Sequence, residues 1–367
     1  MRRQPVTRCV SFLVALSLAS ALVTGCTSTT LTPDTCPNEF TAAVVWTSRT
    51  ARSSSIQFFN SDSLIAEIPI RVEQVDWTDN APVYHDDKVG FLSTGDGWLQ
   101  DGHLITMSLP TCVTTLTAIN EPVTNITSSA DGFITVGNLN GASYLHKFLD
   151  DGTGPINASF ESQYITTAYG TNDFIYALSD NVISNQVSLI VIRNSDLSEV
   201  DRVPLPMLLS GETPVSMTVS HGKLVIPIPY SGNDEDNRLL IIDENDLSVH
   251  VLKLDASSPF YVRSVGDMVY VAHTFMNSAF RDLSQYHQVS VVNMVNEMVT
   301  IHDLPASLSR FDVNSTTVAI LGPPNDDGTA TLHTYSLPSF TSMANVNLTA
   351  PSDIPDAFAA TIFLPQS

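Results

Sequence analysis

The chain has 367 residues, 43% of them apolar and 15% charged, with 21 Pro and 17 Gly. That composition supplies an ample core and excludes a disordered or collagen-like chain. Its 38 acidic side chains against 16 Lys plus Arg give a net charge of −22, which argues against a nucleic-acid partner, since phosphate neutralisation needs clustered cations.

In chain order, Arg2, Arg3 and Arg8 form a basic start, followed by the apolar run Val10–Val23 and then Gly25-Cys26. The run is too short to cross a bilayer and ends at small residues, so residues 1–25 read as a signal peptide. The stretch Leu22-Val23-Thr24-Gly25-Cys26 resembles the lipobox of bacterial lipoproteins. The resemblance implies cleavage before Cys26, acylation of its thiol (palmitate or a similar chain), and attachment to the cell envelope. The site would be extracytoplasmic: the outer membrane or the cell surface, according to the host. Two or three acyl chains suffice for stable anchoring. Residues 26–40 then form a lipidated tether and residues 41–367 the folded body.

Cys9 leaves with the signal and Cys26 takes the lipid, so Cys36 and Cys112 remain as a single pair. In an oxidising compartment a disulfide between them is the simple expectation. It leaves Thr27–Thr35 as a free leash with a reach of about 30 Å at most.

Beyond residue 40 helical periodicity is nearly absent, and β-branched and aromatic runs alternate with Gly, Asn, Asp and Ser turns, the pattern of an all-β chain. One unit recurs: an apolar strand, a polar turn and a second strand. Its copies are Ile56–Ile70, Leu104–Ile119, Tyr144–Phe160, Ser188–Pro206, Leu239–Leu254, Val289–Pro305 and Leu332–Leu348. The turns open at Asn60, Ser108, Leu149, Arg193, Asp243, Asn293 and Ser336, about 46 residues apart. Further strands precede the copies, as in Asn172–Leu178, Gly222–Ile228 and Gly266–Ala272, with inner strands such as Pro214–Val219 and Phe260–Val265. Before the first copy stands one strand alone, Ala42–Thr47, and the tail Phe358–Phe363 can supply its missing inner partner.

This spacing predicts a seven-bladed β-propeller of four-stranded blades, closed by N- and C-terminal strands sharing one blade. The body resembles the quinoprotein-like and surface-repeat propellers of bacteria in architecture, without a WD40 blade ending or a kelch double glycine. Two stacked β-sandwiches are the rival, although they do not require a regular period.

Loops between second and third strands share a face with the inter-blade connections in such a ring. Those loops carry the candidate ligand-face residues: Asp96 and Trp98; Asp234, Glu235 and Asp236; Phe275, Arg281 and Tyr286; Asp326 and Asp327. Long loops carry function more often than short ones, and the longest is Phe275–His287. Cys36 and Cys112 fall on the opposite face, so the lipid anchor is expected on the side away from these loops. Asp76, Arg263 and Asp312, on candidate inner strands, are the residues that could converge on the axis.

No nucleophile elbow, HExxH helix, CxxC pair, Walker loop or dinucleotide fingerprint occurs. No cofactor is expected. The acidic stretches 231–237 and 324–328 could hold a structural Ca²⁺, though neither completes an EF-hand loop. His85, beside Asp86 and Asp87, and His273 are the histidines worth following. The expected function is a membrane-anchored binding platform for an envelope protein or a glycan. The alternative is a propeller enzyme, a metal-dependent lactonase or glycan-cleaving hydrolase, with its site at the axis.

Overall fold

The computed structural model describes residues 28–31, 36–48, 50–70, 75, 82–93, 102–119, 121–209, 214–229, 237–274, 287–323, 325 and 328–366. Among these no helix occurs, and the strands assemble into seven antiparallel sheets, the blades of a β-propeller. Blade 1 pairs β29 (Ala357–Phe363) with β2 (Ala42–Ser48), followed by β3 (Ser54–Asn60) and β4 (Ser63–Ile70). Blade 2 holds β5 (Val83–His85), β6 (Lys88–Ser93), β7 (His103–Ser108) and β8 (Thr114–Ala118). Blades 3 to 7 follow as β9–β12 (Asn125–Glu161), β13–β16 (Gln163–Leu209), β17–β20 (Thr218–Lys253), β21–β24 (Pro259–Asp303) and β25–β28 (Arg310–Thr349). All seven turn-opening residues expected from the repeat are the last residues of third strands.

Burial explains why the copies look as they do. Middle strands are covered by neighbouring blades on both faces: every residue of β2 is buried, as are four consecutive apolar residues of β19 (Arg238–Asp243). They therefore read as unbroken apolar runs. Outer strands have one wet face and alternate, as in β24 (Met298–Asp303). The ring closes as expected, with Ala43 opposite Phe363 and Ser48 opposite Ala357. That pairing removes the two free sheet edges of an open ring.

First-to-second-strand turns and third-to-fourth-strand turns meet on one face. Leu109 N–H donates to Asp87 C=O (2.7 Å), Asn194 to Asp173 (2.9 Å) and Met294 to Asp267 (2.8 Å). Third-to-fourth turns also tie blades 2 to 7 each to the one before it. Cys112 is disulfide-bonded to Cys36 at the start of blade 1, with Cα atoms 5.5 Å apart. Asp150 of blade 3 takes Lys88 of blade 2 at 2.7 Å and also His85. Asn194 C=O of blade 4 accepts from the fully buried Lys147 of blade 3 at 2.8 Å. Glu244 accepts from the Tyr176 hydroxyl, Glu297 takes Lys223 at 2.7 Å, and Phe340 stacks on His302 with ring centroids 3.9 Å apart.

One expectation about the N-terminal tether is corrected. Ser28–Leu31, read as part of a free leash, forms β1 and adds a fifth strand to the edge of blade 2. The unpaired edge of β8 offers a row of backbone groups, and a polar segment can fill it without an apolar signature. Register places Ser28 opposite Thr117 and Leu31 opposite Thr114. The chain therefore runs along the rim from the inter-blade-connection face toward the disulfide face. Ser28 lies on the connection side; Cys26, on which the anchor expectation rests, lies outside the described residues.

Candidate axial site

Inner strands surround a cavity of about 490 Å³ on the ring axis, with six blades and the C-terminal segment contributing to its wall. Its lining includes the last residues of the inner strands of blades 4, 6 and 7, the first residues of those of blades 2 and 5, and residues just past the strands such as Ser315 and Gln366, which are exposed at the mouth. The pit thus opens on the face of the first-to-second-strand turns, opposite the inter-blade connections.

Two of the three axial candidates from the sequence meet in its wall. Arg263, on β21 (Pro259–Val265), brings Nε to 3.5 Å from Oδ1 of Asp312, on β25 (Arg310–Val313). A third group, Tyr84 of β5, was not anticipated. Its hydroxyl donates to Asp312 Oδ2 at 2.5 Å, and Leu364 N–H donates to both Tyr84 Oη and Asp312 Oδ2 at 2.9 Å. Arg263 Nη1 donates to Val262 C=O (3.2 Å), while Nη2 reaches across to Pro82 C=O (3.3 Å). Because blades 6 and 2 are not neighbours, these contacts bridge the axis. Asn314 Nδ2 fastens the same tail by donating to Pro365 C=O at 2.9 Å. Asp76 lies outside the described residues.

The electrostatics follow from burial. Asp312 is 1% exposed, and loss of solvent pushes its carboxyl above the usual range, more than Arg263, the Tyr84 hydroxyl and the Leu364 and Val313 amides pull it down. Tyr84 is held well above the ordinary phenol value by desolvation and by the adjacent carboxylate. The opposite wall, from blades 3 to 5, is uncharged and brings Ser128, Tyr169, Met217 and Thr218 to the pit. Thr218 Oγ1 donates to Ser264 Oγ at 2.8 Å across the junction of blades 5 and 6.

Elsewhere, His85, Asp86 and Asp150 bring one ligand atom each within 4.8 Å of one another. The Lys88 ammonium, 2.7 Å from Asp150, already supplies the cation there and holds that carboxyl low together with His85. His273 is a core residue: its ring nitrogens lie 2.7 Å from Ser257 C=O and 2.7 Å from Ser290 Oγ, and burial lowers its pKa to about 4. The loop candidates Asp96, Trp98, Asp234, Glu235, Asp236, Phe275, Arg281, Tyr286, Asp326 and Asp327 lie outside the described residues, as does Cys26. The 231–236 stretch considered for calcium does too, along with most of 324–328.

No protein-family model matches the chain, and no curated protein matches it. Solved structures do. A functionally unknown protein from Desulfotomaculum acetoxidans is 15% identical with a TM-score of 0.57, over 89% of this chain and 99% of that one. An apocarotenoid oxygenase from Synechocystis is 10% identical with a TM-score of 0.55, over 93% and 96%. A candidate 6-phosphogluconolactonase from Bacteroides fragilis is 11% identical with a TM-score of 0.54, over 90% and 99%. These similarities place the chain among β-propeller proteins, and at such identities they speak to fold alone.

Proposed function

We infer that this protein is an extracytoplasmic lipoprotein, anchored through Cys26, whose propeller binds an envelope protein or a glycan and does not itself carry out a reaction. The observation that carries this reading is the use made of the axial polar groups. A glycan-cleaving site needs two carboxylates flanking the scissile bond, and a lactonase-type metal site needs several carboxylates or histidines converging on the ion. Among the described residues lining the pit, Asp312 is the sole carboxylate and no histidine is present. Its Oδ2 is committed to Tyr84 and to Leu364, the residue that follows the closing strand. The constellation fastens the ring.

Membrane attachment rests on the lipobox resemblance. Cys26 stands two residues before Ser28, within about 7 Å, so acylation there would turn the rim of blade 2 and the connection face to the membrane and leave the pit facing outward. The test is labelling with a palmitate analogue together with crosslinking in intact cells and mass-spectrometric identification. Expected results are label that disappears in Cys26→Ser and a recurrent crosslinked partner that is lost on deleting residues 276–286. Unlabelled protein in the soluble fraction would reject the anchor. Turnover of a lactone or glycan by the pure protein, abolished in Asp312→Asn, would replace the binder with the enzyme.

A further inference from the structure

We propose that the axial pit binds an uncharged, polyhydroxylated small molecule, a mono- or disaccharide. This rests on the binding reading above and gives it a ligand class and a place, on the face opposite the loops that the sequence brings forward. A cavity of about 490 Å³ has the size of an ordinary small-ligand site.

Charge narrows the class. The described lining holds one cation, Arg263, and one anion, Asp312, already paired with each other. An anionic ligand would enter a protein of net charge −22 and find its counter-ion neutralised. A cationic ligand would meet the guanidinium first, because Arg263 is 20% exposed and Asp312 only 1%. A neutral ligand meets neither penalty.

Hydrogen bonding points the same way. Ser128, Tyr169 and Ser264 line the pit and carry hydroxyls, each able to donate and to accept, which is what the hydroxyls of a sugar require. Ser264 Oγ accepts from Thr218, which leaves its own proton to donate. Arg263 is fixed in plane by Val262 C=O and Pro82 C=O, so its guanidinium is a preorganised donor. The half-buried Tyr169 ring, backed by a core cluster that includes the buried Met217, supplies apolar surface on the far wall, where the C–H face of a pyranose can pack.

The experiment is ligand-observed NMR on the full-length chain with glucose, N-acetylglucosamine, maltose and cellobiose. Galacturonate and glucosamine serve as anionic and cationic counterparts of similar size. Saturable binding of at least one neutral sugar is expected, with both charged analogues weaker by about tenfold or more. Ser264→Leu, which fills the pit, and Tyr169→Ala, which removes the packing ring, should each weaken binding by about tenfold while the melting transition stays cooperative. Two variants on different blades guard against a folding artefact in either one. The proposal is overturned if no neutral sugar saturates below about 10 mM, if a charged analogue binds best, or if both variants bind like the parent. Those results with a crosslinked partner still in hand would remove the sugar and leave the platform. Sugar binding without a crosslinked partner would do the reverse.

Discussion

At the scale of single residues, the axial network behaves as a latch. Asp312→Leu strands the Tyr84 hydroxyl, the Leu364 amide and the Arg263 guanidinium in a desolvated place. It should cost about 3–5 kcal/mol, as expected for breaking a buried charge pair from one side. Tyr84→Phe leaves the carboxylate paired with Arg263 and Leu364, and its cost should be nearer 1–2 kcal/mol. Urea titration reads both, and equal losses would mean that the hydroxyl carries the latch. A second prediction concerns pH. His273 titrates at about 4 when folded against an ordinary 6.5, so between those values the unfolded chain binds the proton more readily. Stability from this group is therefore present above 6.5 and lost as pH falls toward 4, by about 3 kcal/mol at most. Asp312 acts in the opposite sense: its raised carboxyl favours the fold at low pH and weakens it as pH rises through the folded value. His273→Gln should flatten the acid limb of the stability–pH curve, and an unchanged slope would reassign that limb to the carboxylates held low by Lys88 and Lys223.

At the scale of elements, blades 2 to 7 are each tied to the preceding blade through one turn, and the chemistry of the tie sets its worth. The disulfide joins residues 76 apart, and its loss in Cys36→Ser with Cys112→Ser should cost about 4 kcal/mol by the loop-closure argument. Lys147 is fully buried between Asp131, at 2.7 Å, and the next blade's Asn194 carbonyl. Asp131→Asn leaves that ammonium without its anion and should cost about 3 kcal/mol, whereas Lys147→Met, of similar volume, should stay within about 1 kcal/mol. Denaturant midpoints decide between this ordering and its reverse. Most of this element level was readable beforehand. Middle strands buried on both faces had to be apolar runs, and polar turns had to interrupt them at one interval, so the repeat showed both blade count and turn positions. Three things were not readable. β1 is short, polar and placed on an edge, so it carries no alternation. β5 is three residues long, which hid Tyr84. Which end of the inner strands would be hollow depends on side chains such as Ser128, Thr218 and Ser264, whose spacing has no period along the chain, so attention went to the long loops of the opposite face.

At the scale of the whole molecule, the question is what closing the ring contributes. β29 arrives after every other strand has been made, and its antiparallel register with β2 brings the two chain ends together: Phe363 lies opposite Ala43, and the Phe40 and Phe363 rings are 5.9 Å apart. Closure between such distant segments is an expensive loop to form, although the cost grows slowly with length. Two constructions separate closure from strand count. Truncation after Pro351 removes β29, bares the β2 edge and leaves Tyr84 and Asp312 without the Leu364 amide. It should abolish the cooperative thermal transition and expose an aggregation-prone edge. A circular permutant that joins Gln366 to Phe40 through a short Gly/Ser linker and opens the chain at Ile183, which is 77% exposed in a surface turn, gives up β1 and the Cys36–Cys112 disulfide but keeps every strand of the seven blades and converts the closing pair into a hairpin, so its parent for comparison is the chain that begins at Phe40. Its melting transition should remain cooperative and its refolding should be faster than that of the parent, because the most distant pairing has become local. Calorimetry and stopped-flow refolding measure the two properties. A permutant that refolds no faster would show that pairing of β29 with β2 is not the slow step, and that the blades reach their circle before the last strand locks it.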